Sequence, residues 1–228
     1  MVSLTVLVPA YNEEKTLEQS LNRLMELKII SQIIFVDDGS SDNTLKIANE
    51  LAKKEPRLLI LNQKTNYGKG KALIKTKKHI TSEYVVIHDA DLEYSPIDLE
   101  EMLKHVNGSN LVLGSRFIGL KSRDNLYKRT YIANKSMSKF FSIVNKINVS
   151  DVATCYKMMP ADFFIKTEFK ENRFSIEIEL ISKFLKSSND LIEVPISYSG
   201  RSYEEGKKIK TKDGFLYLFN ILKYKFFN

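Results

Sequence analysis

Two carboxylates one residue apart, Asp89 and Asp91, close the apolar run Tyr84-Val85-Val86-Ile87-His88. Such a run reads as a buried strand. Carboxylates at its end are costly unless their charge is compensated. Oxygen ligands of this kind favour a hard divalent cation, Mg²⁺ or Mn²⁺. A cation held by so few groups serves a bound diphosphate. The chemistry implied is metal-assisted work on a nucleotide-linked substrate. An acidic turn capping the next helix is the plainer reading of a lone Asp-x-Asp, so the neighbouring segments decide.

Four further loops carry polar groups at strand ends. Pro9-Ala10-Tyr11-Asn12-Glu13-Glu14 follows the first strand. There Tyr11 is suited to pack on a base or ribose and Glu13 to accept hydrogen bonds from either. Alternatively, Asn12 caps a helix whose dipole the two glutamates complement. Asp37-Asp38-Gly39-Ser40 follows the second strand, with two acceptors for base N–H or ribose hydroxyls, or a capped turn. Asn66-Tyr67-Gly68-Lys69-Gly70-Lys71 follows the third and suggests a phosphate cradle or a flexible helix entry. It lacks the P-loop spacing. Gly114-Ser115-Arg116 follows the fifth and would lie beside Asp89 and Asp91 if consecutive strands are neighbours. Arg116 is suited to bidentate phosphate contact, or to an ion pair with the acids. A late basic loop, 201–208, places Arg201 and Lys208 where they can neutralise a leaving diphosphate or simply be solvated.

The elements that must position these loops follow from periodicity. Strands are predicted over 2–8, 29–36, 58–61, 84–88 and 111–113, and helices over 13–27, 44–52, 69–80 and from 96 onward. This βαβα alternation predicts an α/β fold, a mainly parallel, Rossmann-like sheet with helices on both faces. Ligands of such sheets bind outside the carboxyl ends of the strands. The second half predicts helices over 124–147, 174–185 and 214–227, an extended 152–159 and a strand over 191–198. On the 174–185 helix Glu177 and Glu179 diverge by about 200°, so one faces a cleft and a solvated face takes the other. His88 and Cys155 read as packed residues rather than a ligand and a nucleophile.

Composition narrows the class. The 228 residues predict one domain, 1–228, without linker or repeat. One cysteine rules out a disulfide framework and suits a reducing compartment. The N-terminus enters a strand directly and predicts no leader peptide. No apolar run reaches the ~20 residues of a spanning helix. A net charge of +7 favours anionic partners. No aromatic-basic recognition motif is present, and nucleic acid is set aside. Phe215, Leu218, Phe219, Leu222 and Phe226, with lysines nearby, form either a membrane-surface helix or a core-packed terminal one.

Taken together, VPAYNEE (8–14), VDDGSSDNT (36–44), NYGKGKAL (66–73), DADLEYSP (89–96), GSRF (114–117), DVATCYKMM (151–159), FSIEIEL (174–180) and VPISYSGRSYEEGKK (194–208) resemble the family 2 inverting glycosyltransferases of GT-A fold. The similarity is greatest to the polyprenyl-phosphate sugar transferases of the dolichol-phosphate mannose synthase type. The resemblance implies a nucleotide-sugar-binding half, 1–117, and an acceptor half with the C-terminal helix, 118–228. It implies that Pro9, Ala10, Tyr11, Glu13 and Asp38 contact the nucleoside. Asp89, Ala90 and Asp91 would meet the diphosphate, with Asp89 and Asp91 holding Mg²⁺ or Mn²⁺ and Lys69 among the substrate contacts. Glu93 would reach the donor sugar, Arg116 and Arg129 a donor or acceptor phosphate, and Arg201 and Lys208 the leaving diphosphate. Catalysis would rest on Asp91, Glu179 and Arg201.

The implied reaction moves a hexosyl group from a GDP- or UDP-sugar to a polyprenyl phosphate, in the cytoplasm or peripherally on the inner membrane face. Alternatives are a saccharide hydroxyl acceptor in cell-surface polysaccharide synthesis, or a non-catalytic nucleotide-sugar-binding module docked at membranes. A hydroxyl acceptor would need a base, for which Glu179 and Asp151 are the candidates. A nucleotidyltransferase would need a glycine-rich loop at 9–14, and an aspartate-dependent phosphatase its acids on the first strand.

Overall fold

The computed structural model describes residues 2–124, 128–201 and 211–227, with backbone alone for 128–129, 211–213 and 215. Its first half alternates β1 (Leu4–Ala10), α1 (Leu17–Met25), β2 (Ile30–Asp37), α2 (Thr44–Ala52), β3 (Leu58–Asn62), α3 (Lys69–Thr76), β4 (Tyr84–Ile87), α4 (Asp98–Lys104) and β5 (Leu111–Ser115). The second half adds β6 (Arg123–Asp124), α5 (Lys128–Asn145), β7 (Lys157–Pro160), α6 (Ala161–Lys166), α7 (Ile176–Ser187), β8 (Leu191–Pro195), β9 (Tyr198–Ser199) and α8 (Thr211–Phe226).

Seven strands form one sheet in the order β3-β2-β1-β4-β7-β5-β8. All pairings are parallel except those of β7, which runs antiparallel to both β4 and β5. The predicted α/β, mainly parallel sheet is therefore present. One expectation fails. The fourth and fifth strands are not neighbours, because β7 comes back from the second half and inserts between them. Every residue of β1 is buried, as a central strand covered on both faces requires. Helix α1 turns Leu17, Leu21 and Leu24 inward at helical spacing.

This topology gathers the carboxyl ends of β1, β2, β3, β4, β5 and β8 along one edge. Because β7 is reversed, its first residue, Lys157, arrives at that same edge. Helix α7 leads into β8, so its N-terminal turn, with Glu177, also points there. The predicted helix over 13–27 begins only at Leu17. Asn12 does not cap it; the residue adopts a left-handed φ of 52°, and its Oδ1 accepts the Ser41 N–H at 2.9 Å.

Candidate active site

The strand-end acids are fixed from below by a buried histidine. His88 lies between the Ser20 hydroxyl at 3.1 Å and the Tyr156 hydroxyl at 3.0 Å. Burial lowers its pKa to about 4, so it is neutral and structural at neutral pH. Beyond it the chain presents Asp89 and Asp91, each already holding a cation of the protein. Lys69 Nζ is 2.7 Å from Asp89 Oδ1, and Arg201 Nη2 is 2.6 Å from Asp91 Oδ2.

Two short networks spread from these contacts. Arg201 also meets Glu13 at 3.1 Å and Glu93 at 3.4 Å. Glu93 in turn accepts the Tyr198 hydroxyl at 2.8 Å and the Arg201 backbone N–H at 3.0 Å. On the other side Lys69 reaches Glu177 at 2.6 Å, and Glu177 pairs with Lys157 at 2.5 Å. Glu13, Asp89, Asp91, Glu93 and Glu177 face Lys69, Lys157 and Arg201, an excess of two negative charges if all are ionised.

The pKa directions follow from that balance. Burial would raise Asp89, but Lys69 beside it brings it below the usual carboxylate range. Burial, then Glu93 and Asp89, push Asp91 up to about 8 against the pull of Arg201. Burial would lower Lys69, yet Asp89 and Glu177 hold its pKa above the usual lysine value.

The residues fit a divalent cation. Two oxygen donors leave one strand end, and no cluster of three or more acidic, histidine or cysteine groups suited to a metal occurs among the described residues. Such a pair suits a hard ion that takes its other ligands from phosphate oxygens and water. The crowding of acids that pushes Asp91 up would be relieved by an added cation. Asp89 and Asp91 would hold it, in competition with Lys69 and Arg201.

The loops assigned to the nucleoside are tied to one another. Pro9 and Ala10 end β1 and are buried; the Ala10 carbonyl accepts the Asp38 N–H at 2.8 Å. Asn12, Glu13 and Glu14 donate their N–H groups to Ser40, Thr44 and Asp42. Tyr11 is half-buried on this loop. Ala90 is buried, and its carbonyl accepts the Thr16 hydroxyl. Asp38 turns its carboxylate to the Tyr67 and Gly68 N–H groups at 2.9 and 2.7 Å and to the Gln63 amide at 2.7 Å. It shapes the third loop from within. The glycines of that loop answer to packing. A Cβ on Gly68 would lie 2.6 Å from the Asn172 carbonyl oxygen, and one on Gly70 2.1 Å from that of Glu171.

Three expectations are corrected. Glu179 does not face the cleft. It is fully buried and accepts the Lys170 and Glu171 N–H groups, with Lys183 at 2.9 Å. Glu177 is the one that reaches the strand-end acids, and neither glutamate lies on a solvated face. Arg116 does not pair with Asp89 or Asp91. Its Nε and Nη2 clasp Asp151 at 2.7 and 2.8 Å while the guanidinium stacks near Tyr198. The inserted β7 strand separates it from the acids, and Asp151 is thereby engaged. The side chain of Arg129 and the whole of Lys208 lie outside the described residues. Sequence reasoning weighs Glu177 beside Glu179 but prefers Glu179, and Lys157 is the residue that it passes over. The signal was a lone lysine between Tyr156 and Met158, in a run too apolar to solvate it.

The glycosyl transferase family 2 model matches residues 5–167. The chain belongs to that family. This family 2 glycosyltransferase is 28% identical over 232 residues to the dolichol-phosphate mannosyltransferase of Pyrococcus furiosus, covering 97% of the chain but only 63% of that relative's length. It is 26% identical over 207 residues to the undecaprenyl-phosphate mannosyltransferase of Micrococcus luteus, covering 88% and 85%. In fold it is similar to glucosyl-3-phosphoglycerate synthase from Mycobacterium tuberculosis, solved with Mn²⁺, UDP and phosphoglyceric acid. The TM-score is 0.77 at 16% identity, over 100% of this chain and 80% of that one. The fold is thus of GT-A type, and the protein is a nucleotide-sugar glycosyltransferase.

Proposed function

We propose that this enzyme transfers a sugar, with inversion, from a GDP- or UDP-sugar to a polyprenyl phosphate, and that Asp89 and Asp91 hold a divalent cation against the donor diphosphate. When bound, that cation supplies Lewis-acid neutralisation of the departing diphosphate. Arg201 and Lys69 add positive charge at the same point, where preorganised cations act strongly. Glu93, fixed by Tyr198, is placed to orient the donor sugar. Pro9, Ala10, Tyr11, Glu13 and Asp38 shape the nucleoside side.

One observation carries the choice of acceptor. A hydroxyl acceptor needs a base. The candidate carboxylates are all engaged by cations: Glu179 by Lys183, Asp151 by Arg116 and Glu177 by Lys157. A phosphate acceptor is already anionic and needs none. The mannosyltransferase relatives named for lipid-phosphate acceptors support the same reading.

The surface supports it too. Helix α8 buries Tyr217, Asn220, Ile221 and Tyr224 against the body of the protein. Its opposite side exposes Leu218, Phe219, Leu222 and Phe226, with Phe219 63% and Phe226 65% accessible. Lys225 flanks that side, an arrangement suited to an anionic lipid surface, while Lys223 is engaged by Glu171 at 2.8 Å. Among the described residues no helix is long and apolar enough to cross a membrane.

The test is transfer from labelled GDP-mannose, UDP-glucose or UDP-N-acetylglucosamine to a short polyprenyl phosphate, with Mg²⁺ or Mn²⁺. Label in the organic phase from one donor is expected. Label in water-soluble saccharide alone would overturn the acceptor assignment.

A further inference from the structure

Beyond the two acids lies a buried chain of alternating charge: Asp89, Lys69, Glu177, Lys157. Successive contacts are 2.7, 2.6 and 2.5 Å. The side chains of Lys69, Glu177 and Lys157 are only 8%, 4% and 0% exposed. Lys157 also donates to the Thr154 carbonyl oxygen, which fixes its far end. The two contacts of Glu177 differ in kind. Oε2 accepts an aligned hydrogen bond from Lys157. Oε1 accepts no aligned hydrogen bond, although the Lys69 ammonium is 2.6 Å away. Glu177 is therefore anchored to β7 through Oε2 and holds the Lys69 ammonium through Oε1.

We infer that Glu177 and Lys157 are positioning residues for the donor diphosphate: they retain Lys69 at the site when its other partner, Asp89, is taken by the divalent cation. The inference rests on the proposed donor chemistry. Asp89 cannot serve both cations equally well. If Lys69 had Asp89 as its only partner, each cation binding event would strip a buried ammonium of its counter-ion, which is strongly unfavourable. Glu177 supplies the second counter-ion. Lys69 then keeps its charge and turns toward the incoming phosphates. Lys157 balances Glu177, so the chain is neutral as a whole. This role differs from proton abstraction, because both carboxylate oxygens of Glu177 face ammonium groups.

The test measures Mn²⁺ binding by electron paramagnetic resonance with and without UDP or GDP, together with the melting temperature. Glu177→Gln alone leaves Lys157 buried and unpaired, and lowers the melting temperature. Glu177→Gln with Lys157→Met restores neutrality, and is expected to recover the melting temperature. Its Mn²⁺–nucleotide affinity is nevertheless expected to stay about tenfold weak or more, because Lys69 then has no counter-ion once the divalent cation takes Asp89. In a Lys69→Met background the same exchange is expected to cost little, because the effect passes through Lys69. Equal loss in both backgrounds, or wild-type affinity in the double variant, would overturn the inference.

A measurement on the unaltered protein is independent of folding in the variants. The ¹⁵Nζ resonance of Lys69 is expected to move when Mg²⁺ and the nucleoside diphosphate are added together, while that of Lys157 stays. An unmoved Lys69 resonance in protein that binds the nucleotide would count against the chain's role. Wild-type protein that binds neither Mn²⁺ nor nucleotide would instead remove the proposed donor chemistry, and this inference with it.

Discussion

Arg201 Nη2 stands 2.6 Å from Asp91 Oδ2, so the carboxylate assigned to the divalent cation is occupied by a guanidinium of the same chain. Lys69 does the same to Asp89 at 2.7 Å. Cation and diphosphate must then bind in support of each other. The metal frees two basic groups and the diphosphate gives them a new partner. Arg201→Met should bind Mn²⁺ alone more tightly, by about tenfold or ~1.4 kcal/mol. It should also lose most of the gain in Mn²⁺ affinity that UDP or GDP produces. Titration calorimetry with each ligand alone and both together checks this. Weaker Mn²⁺ binding in the variant would contradict it.

His88 makes the metal-free protein acid-sensitive. Its pKa falls from the usual 6.5 to about 4 on folding. The unfolded chain therefore takes up a proton between these values and the native state does not. Stability is complete above pH 6.5 and declines as the pH falls toward 4, by about 3 kcal/mol in total. Urea denaturation at pH 7, 5.5 and 4.5 should show the decline, and His88→Gln should remove that component of it.

Arg116 and Asp151 form a buried pair, with the arginine 5% and the aspartate 0% exposed. Asp151→Ala leaves an unpaired guanidinium in the interior and should cost about 3–5 kcal/mol. Asp151→Leu with Arg116→Met removes both charges and should recover most of that loss. Chemical denaturation of the three variants decides it. A small effect of Asp151→Ala would show the pair to be solvated.

Much of this fold is legible in the residue pattern because parallel strands buried on both faces read as continuous apolar runs. LTVLVPA and YVVI are of that kind. The insertion of β7 is not legible in this way. Lys157–Pro160 is four residues long, and its partners lie far away in sequence. That one missed pairing explains the misplacement of Arg116 relative to the acids. The acids themselves, Glu13, Asp89, Asp91 and Glu93, are legible because charged groups at the ends of apolar runs stand out. Their partners are less so. Glu177 and Glu179 carry the same charge about half a turn apart, and only the loop over 170–173 decides that Glu179 is consumed by backbone N–H groups.

The outward side of α8 should seat on lipid. Phe219→Ser with Phe226→Ser alters two exposed residues and should leave the melting temperature within a few degrees. Co-sedimentation with phosphatidylglycerol vesicles at low salt should fall several-fold, while UDP or GDP binding persists. Unchanged sedimentation would remove α8 from the membrane contact.

The central claim is that Asp89 and Asp91 hold a divalent cation against a donor diphosphate. Anomalous diffraction at the manganese edge, on crystals grown with Mn²⁺ and a nucleotide sugar, tests it most directly. The expected result is a peak coordinated by Asp91 beside the diphosphate, with the Arg201 guanidinium moved from the carboxylate to the phosphates. A bound nucleotide with no peak at that corner, and Arg201 still on Asp91, would contradict the account.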